Sequence, residues 1–381
     1  MKMALSTPAA ERPPTADLAA SELTPSKNPS NGLPAGVDLL ARLESLCAGR
    51  GLDGLAERLH DLATFIGYDM LTFEETFGQL PRDPRLVGRA ATRLLDLGGK
   101  RLRPMCLALA SRLGSGFDSR GLDLAVAVEL VHSATLLHDD VVDVSDERRG
   151  SATARTIYGN AASIFAGDWL LIEALRRVER SRCSGLLVEL FDIIEEMIFA
   201  ESLQLESRGR LGTGRDTYFR VVEGKTASLF RWAMRAGGTA GGLDEMQLEA
   251  LGDYGLYLGV AFQATDDLLD LTGDSLRTGK ALFTDLREGK MTYPMIIALE
   301  RDESLRPVVE EVLATPADEP FCDELTARVV EALHETRAVE ECLNLARDRS
   351  ARAVASLEMV PEGRARDALV TVAESIVDRD L

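Results

Sequence analysis

His138-Asp139-Asp140-Val141-Val142-Asp143 and Thr265-Asp266-Asp267-Leu268-Leu269-Asp270 carry one acidic pattern twice, each at the C-terminal end of a long apolar run. On a helix, residues four apart share a face, so Asp139 stands over Asp143 and Asp266 over Asp270. Each pair aims two carboxylates in one direction. The C-terminal end of a helix is already electronegative, and acids crowded there repel one another unless a cation settles among them. The chemistry that fits is the binding of divalent metal by hard oxygen donors. Magnesium is the natural choice, because it keeps several waters and combines one or two carboxylates with substrate phosphates.

Phosphate in turn calls for cations. Gly98-Gly99-Lys100-Arg101-Leu102-Arg103-Pro104 supplies three of them just after an expected helix end. In isolation such a cluster would serve to neutralise the preceding helix dipole. Arg148-Arg149 follows the first acidic motif by five residues, and Lys225-Thr226 begins a helical turn of small and apolar residues. Arginine's planar fork suits phosphate oxygens in pairs, whereas lysine acts as a point charge. His132 lies seven residues before Asp139, two turns back on nearly the same face. A lone histidine in an apolar helix is ordinarily a hydrogen-bonded core residue, but this one points toward the acidic mouth, as a substrate contact would. Gln263 has the corresponding place, three residues before Asp266.

Helical periodicity dominates the elements that must position these groups, and strand-like alternation is hard to find. Helices are expected over roughly 38–47, 53–65, 83–97, 102–113, 121–143, 160–181, 185–208, 215–236, 243–272 and 291–300, with more toward the C-terminus. The stretches 121–143 and 248–270 leave no continuous polar face, which places both inside a large bundle. Both end in the acidic motifs, so the metal site should lie at one mouth of that bundle. No Pro-rich linker interrupts 40–381, and residues 37–381 read as one all-α domain. Residues 1–36, rich in Pro, Ala, Ser and Thr, read as a disordered tail. Deleting residues 1–34 should therefore leave folding and activity intact. A thermal melt of the truncated protein checks this, and a large drop in midpoint would show the tail is docked.

The formal charge of -19 argues against nucleic acid and against an anionic membrane surface as partners. Five scattered cysteines without a C-x-x-C pair read as small core residues in a reducing compartment. Four dispersed histidines make a zinc site a poor fit. No apolar stretch is read as long enough to span a bilayer, so stable membrane insertion is not expected. The N-terminus lacks a charged region followed by an apolar core, and Glu11, Asp17 and Glu22 count against an organelle-targeting peptide. The expected location is cytoplasmic.

Taken in order, these motifs make the chain resemble the trans-polyprenyl diphosphate synthases, the chain-elongating prenyltransferases of isoprenoid biosynthesis. The resemblance covers about residues 85–300: GGKRLRP (98–104), ELVHSATLLHDDVVD (129–143), ERRG (147–150), GNAASIFAGD (159–168), AESLQL (200–205), KTASLF (225–230), AFQATDDLLD (261–270) and DLREGKMTYP (285–294). It implies an all-α, single-domain helical bundle around a deep central cavity, with the two motifs facing across its mouth, and a homodimer. It also implies a reaction. An allylic diphosphate ionises, isopentenyl diphosphate attacks the carbocation, and a proton is lost. By the family pattern Asp139, Asp143 and Asp266 ligate Mg²⁺, three ions per active site, while Asp140, Asp267 and Asp270 support them. Arg148, Lys225 and Lys280 then contact the allylic diphosphate, and Lys100, Arg103, His132 and Arg149 hold isopentenyl diphosphate. Thr226 and Gln263 line the reacting carbons. Departures from the pattern are Ser151-Ala152-Thr153 in place of Lys-Pro-Thr, Ala200 where Gly is common, and Ala281-Leu282-Phe283 after Lys280.

A terpene cyclase would need no isopentenyl diphosphate site and commonly alters the second motif; here both are complete. A regulatory subunit of a heteromeric synthase tends to lose acidic residues, and all six remain. Ala134 and Thr135, five and four residues before Asp139, are the family's chain-length positions. Both are small, which favours a product of twenty carbons or more, with the long-chain quinone-tail synthases as the nearest pattern. A geranylgeranyl or farnesyl product is the shorter alternative. Leu187, Phe191 or Phe199 on the following helix is the expected deeper floor.

Overall fold

A computed structural model describes residues 35–49, 51–272, 283–315 and 323–378, all within one compact unit, Leu33–Leu381. The tail expected over 1–36 falls almost wholly outside the described residues, as does Lys280. In chain order the helices are α1 (Ala35–Gly49), α2 (Asp53–Gly78), α3 (Leu86–Asp96), α4 (Leu102–Arg112) and α5 (Ser119–Val142). A short antiparallel hairpin follows, β1 (Glu147–Arg148) against β2 (Ser151–Ala152). Then come α6 (Ala154–Tyr158), α7 (Asn160–Ser181), α8 (Leu186–Ser207), α9 (Arg215–Val222), a π-helical turn (Glu223–Ala227), α10 (Ser228–Gly241) and α11 (Glu245–Thr272). The remainder is α12 (Thr284–Arg287), α13 (Tyr293–Arg301), α14 (Arg306–Ala314), α15 (Asp323–Glu335), α16 (Ala338–Ser356) and α17 (Arg364–Asp378). The all-α expectation holds, with the hairpin the one strand feature among the described residues.

Local chemistry accounts for the two central helices. Asp118 caps α5, its carboxylate accepting from the N–H groups of Arg120 and Gly121 at 2.9 and 3.1 Å. Asp244 and Gln247 form a reciprocal capping box before α11: Gln247 N–H donates to Asp244 Oδ1 and Asp244 N–H to Gln247 Oε1. Both helices pack on α10, and α5 also lies along α7. Buried aromatics keep their polar tips satisfied, Trp232 Nε1 donating to Leu186 O and Tyr254 OH to Leu369 O.

Three expectations need correction. α2 runs on past 65 to Gly78, because Ile66, Met70, Phe73 and Phe77 continue the apolar repeat and are all buried. The single helix expected over 215–236 is broken by the π-turn and resumes to Gly241. Finally, α5 is in fact long and apolar enough to cross a membrane, yet 67 % of its apolar window is buried among neighbours. It is the core helix of the bundle.

Candidate active site

Along α5 and its C-cap, the half-buried positions His132, Thr135, Leu136, Asp139 and Asp143 are spaced as one helical face. On α11 the corresponding stripe is Phe262, Gln263, Asp266, Leu269 and Asp270. Half-buried stripes on two interior helices, each with its acids at the C-terminal end, form the walls of the candidate site. Two bridges tie these walls together. In the π-turn, Lys225 Nζ lies 3.6 Å from Asp139 Oδ2, while its neighbour Thr226 donates from Oγ1 to Gln263 Oε1 at 3.0 Å. Beyond α12, Lys290 Nζ donates to Asp143 Oδ2 at 2.9 Å. The start of α12 is fastened to Asp270, whose carboxylate accepts from Thr284 N–H and Asp285 N–H at 3.1 Å each. Both acidic motifs therefore sit at one mouth.

The π-turn is what allows the first bridge. An extra residue per turn swings Lys225 and Thr226 out of the α-helical register, a distortion common at functional sites. Close approach of the turn to α11 depends on Gly259, where a Cβ would stand 2.4 Å from Ala227 Cα. Lys225 also donates to Glu201 and, at 3.1 Å, to Gln204 Oε1. Asp143 is further paired with Arg208.

The second aspartate of each motif turns inward. Asp140, 1 % exposed, accepts from Arg148 Nε at 2.8 Å, which anchors the hairpin to α5. Burial raises its pKa against the pull of Arg148. Asp267 accepts from Tyr218 OH at 2.7 Å and from Gln263 Nε2 at 2.9 Å. Burial, with Asp285 adding, pushes its carboxyl up to about 7. These two residues orient cations and amides rather than face the mouth. Burial also raises Asp139, opposed by Lys225, whereas Lys290, Lys225 and Arg208 hold Asp143 low despite burial.

A second cationic group lies deeper along α5. Arg103 places its guanidinium 4.4 Å from the Phe230 ring centre, and burial lowers it to about 10. Its Nε has no hydrogen-bond partner among the described residues. Lys100 Nζ stands 5.9 Å from the Phe262 ring centre. Burial, then Arg103 and Arg149, drives His132 far below its ordinary pKa, so the imidazole is neutral. Thr135 donates to the His132 carbonyl at 2.8 Å. Ala134 is only 2 % exposed and lies a hundred degrees round the helix from Thr135. Phe191 and Phe199, expected as a deep floor, are 50 % and 66 % exposed on the outer face of α8, which corrects that reading. Leu187 is half-buried against the core.

Sequence reasoning passed over Lys290, Arg208, Glu201, Gln204 and Tyr218 as site residues. Glu201 and Gln204 carried a usable signal, three apart on one helix face within AESLQL. Tyr218 carried none, since nothing in its neighbourhood distinguishes it from a core tyrosine.

The donors suit a hard divalent cation. Asp139, Asp143 and Asp266 offer oxygen only, and Asp139 and Asp143 already draw the ammonium or guanidinium groups of Lys225, Lys290 and Arg208. No three His, Cys, Asp or Glu among the described residues enclose a metal by themselves. A cation here would complete its shell with water and ligand oxygen, as magnesium does.

The family model Polyprenyl synthetase matches residues 84–333. The octaprenyl diphosphate synthase of Haemophilus influenzae is 35 % identical over 309 residues, covering 81 % of this chain and 92 % of the relative. That of Escherichia coli K12 is 34 % identical over 302 residues, covering 79 % and 93 %. A crystal structure of a Caulobacter crescentus polyprenyl synthase, complexed with calcium and isoprenyl diphosphate, superposes with a TM-score of 0.77 at 34 % identity, covering 84 % of this chain and 97 % of that one. The chain belongs to the polyprenyl synthetase family, and it is a prenyltransferase that elongates isoprenoid diphosphates.

Proposed function

We propose that the protein condenses isopentenyl diphosphate head-to-tail with an allylic diphosphate, using Mg²⁺, to give a trans-polyprenyl diphosphate of twenty carbons or more. The observation that carries this is the adjacency of Lys225 and Thr226, one reaching Asp139 and the other Gln263, with a separate cationic group at Lys100, Arg103, Arg149 and neutral His132. Two diphosphates need two cationic sites, and the reacting carbons must lie between them. Asp139, Asp143 and Asp266 would hold the metal, three ions by the family pattern. It would draw off the negative charge that develops on the leaving group, the largest available stabilisation for ionisation. Lys225 and Arg148 would add cations on the allylic side, and the family pattern adds Lys280. The electron pair of the broken C–O bond leaves with pyrophosphate, which also accepts the proton lost after C–C bond formation, so no protein base is required. Leu136 on α5 and Phe262 and Leu269 on α11 give those walls an apolar part, which would limit water at the carbocation.

Substituting Arg103 with Ala should raise KM for isopentenyl diphosphate about tenfold or more, as loss of a charged hydrogen bond would. KM for the allylic primer should move little. Steady-state kinetics with each substrate varied in turn checks this, and the opposite pattern would exchange the two sites.

A homodimer belongs to the same proposal. Ile164, Phe165 and Ile172 on α7 and Phe191, Ile198 and Phe199 on α8 are all exposed, an apolar face of the kind that marks an interface. Phe199→Asp is expected to convert a sedimenting dimer to monomer. A monomeric wild-type protein would contradict the assignment.

A further inference from the structure

Arg101, which belongs to neither proposed substrate site, is among the most constrained residues in the molecule. It takes a left-handed backbone conformation, φ 52°, at the start of α4. Its guanidinium is buried, donating from Nη1 to Glu129 Oε1 on α5 at 2.6 Å and from Nε to Glu74 Oε1 on α2 at 3.0 Å. It also stacks 4.4 Å from the Phe77 ring centre. Arg149 has the same unusual backbone, φ 54°. The two strained loops meet at Gly99, where a Cβ would stand 3.3 Å from Arg101 Nη1, 3.3 Å from Glu129 Oε1 and 3.5 Å from Arg149 Nη2. Non-glycine residues hold such backbone angles only where surrounding contacts impose them, and such strain gathers at functional sites.

We propose that Glu129 and Arg101 are positioning residues that assemble the isopentenyl diphosphate site, clamping the 98–101 loop and the Arg149 turn around one buried carboxylate. The inference rests on the proposed placement of that substrate at Lys100, Arg103, His132 and Arg149. Glu129 pairs directly with the buried Arg101 and adds negative charge near Arg103 and Arg149, offsetting the crowding of three guanidinium groups. Without it the arginines repel one another and move apart toward water. Arg101 fixes the direction in which the chain enters α4, and so where Lys100 and Arg103 project. Neither residue needs to touch substrate.

Glu129→Gln keeps the shape and removes the charge; Arg101→Lys keeps the charge and loses the fork. Each should raise KM for isopentenyl diphosphate about tenfold, with kcat at saturation and KM for the allylic primer within about twofold of wild type. Because both break one clamp, the double variant should be little worse than either single one. Calorimetric titration with isopentenyl diphosphate should show the same loss of affinity, and it reads out even where turnover is too weak to measure. A fall in KM would show that Glu129 merely repels the diphosphate, and an equal rise in both KM values would show general loosening of the fold. Either result overturns the proposal, as would unchanged affinity. Arg103→Ala, run alongside, separates the two failures: if it too leaves this KM unchanged, the substrate placement itself is wrong.

Discussion

Asp139→Asn and Asp266→Asn should each lower kcat by about a hundredfold or more while the unfolding midpoint hardly falls. Loss of one metal ligand removes charge stabilisation comparable to an oxyanion donor, on the order of 3 kcal/mol. Stability is spared because the Asp139 carboxylate is already raised by burial and by the nearby Glu201 and Asp143 charges. Asp143→Asn makes the informative contrast. That carboxylate partners Lys290 and Arg208, and neutralising it leaves Lys290 with Glu288 as its remaining carboxylate and Arg208 with the Val142 carbonyl at 3.4 Å. It should cost about 1–3 kcal/mol of stability in addition to activity. Melts and turnover measured on the three variants check both halves. If Asp139→Asn and Asp266→Asn kept near-wild-type turnover, the metal assignment would be wrong.

The second large effect concerns product length. Thr135 lies on the accessible stripe one helical turn inside Asp139, so a growing chain fixed by its diphosphate at the mouth must pass it. Thr135→Phe should block that path and shorten the main product to about fifteen to twenty carbons, the first condensation staying fast. Ala134→Phe is expected to shorten the product as well, but at a cost. Ala134 is closely covered, so a ring there must displace its neighbours, losing about 1–3 kcal/mol of stability. Chromatographic sizing beside thermal melts separates these outcomes. An unchanged product distribution in folded variants of both would refute the cavity reading.

The bundle and the mouth were legible because they follow from local rules. All-apolar helices ending in acids at four-residue spacing leave few folded arrangements, and α5 and α11 occupy the expected ranges within two residues. The inward turn of Asp140 and Asp267 was not legible. It depends on Arg148 in a hairpin and on Tyr218 forty-nine residues away, neither announced by periodicity. The π-turn was hidden for a related reason: Gly224 and Thr226 in Glu223–Ala227 weaken a helix without signalling an extra residue, and only the packing on Gly259 and on α8 reveals it. Phe191 and Phe199 misled because a sequence shows that a residue is apolar, not whether its face of the helix looks inward.

One mouth that holds two diphosphates should join their carbon chains repeatedly. Incubation of the purified protein with Mg²⁺, isopentenyl diphosphate and labelled allylic primers, followed by chromatographic sizing, tests it most directly. Linear polyprenyl diphosphates of at least twenty carbons are expected, and no product when the metal is chelated. A cyclised hydrocarbon, a metal-independent product, or no condensation with any primer would contradict it.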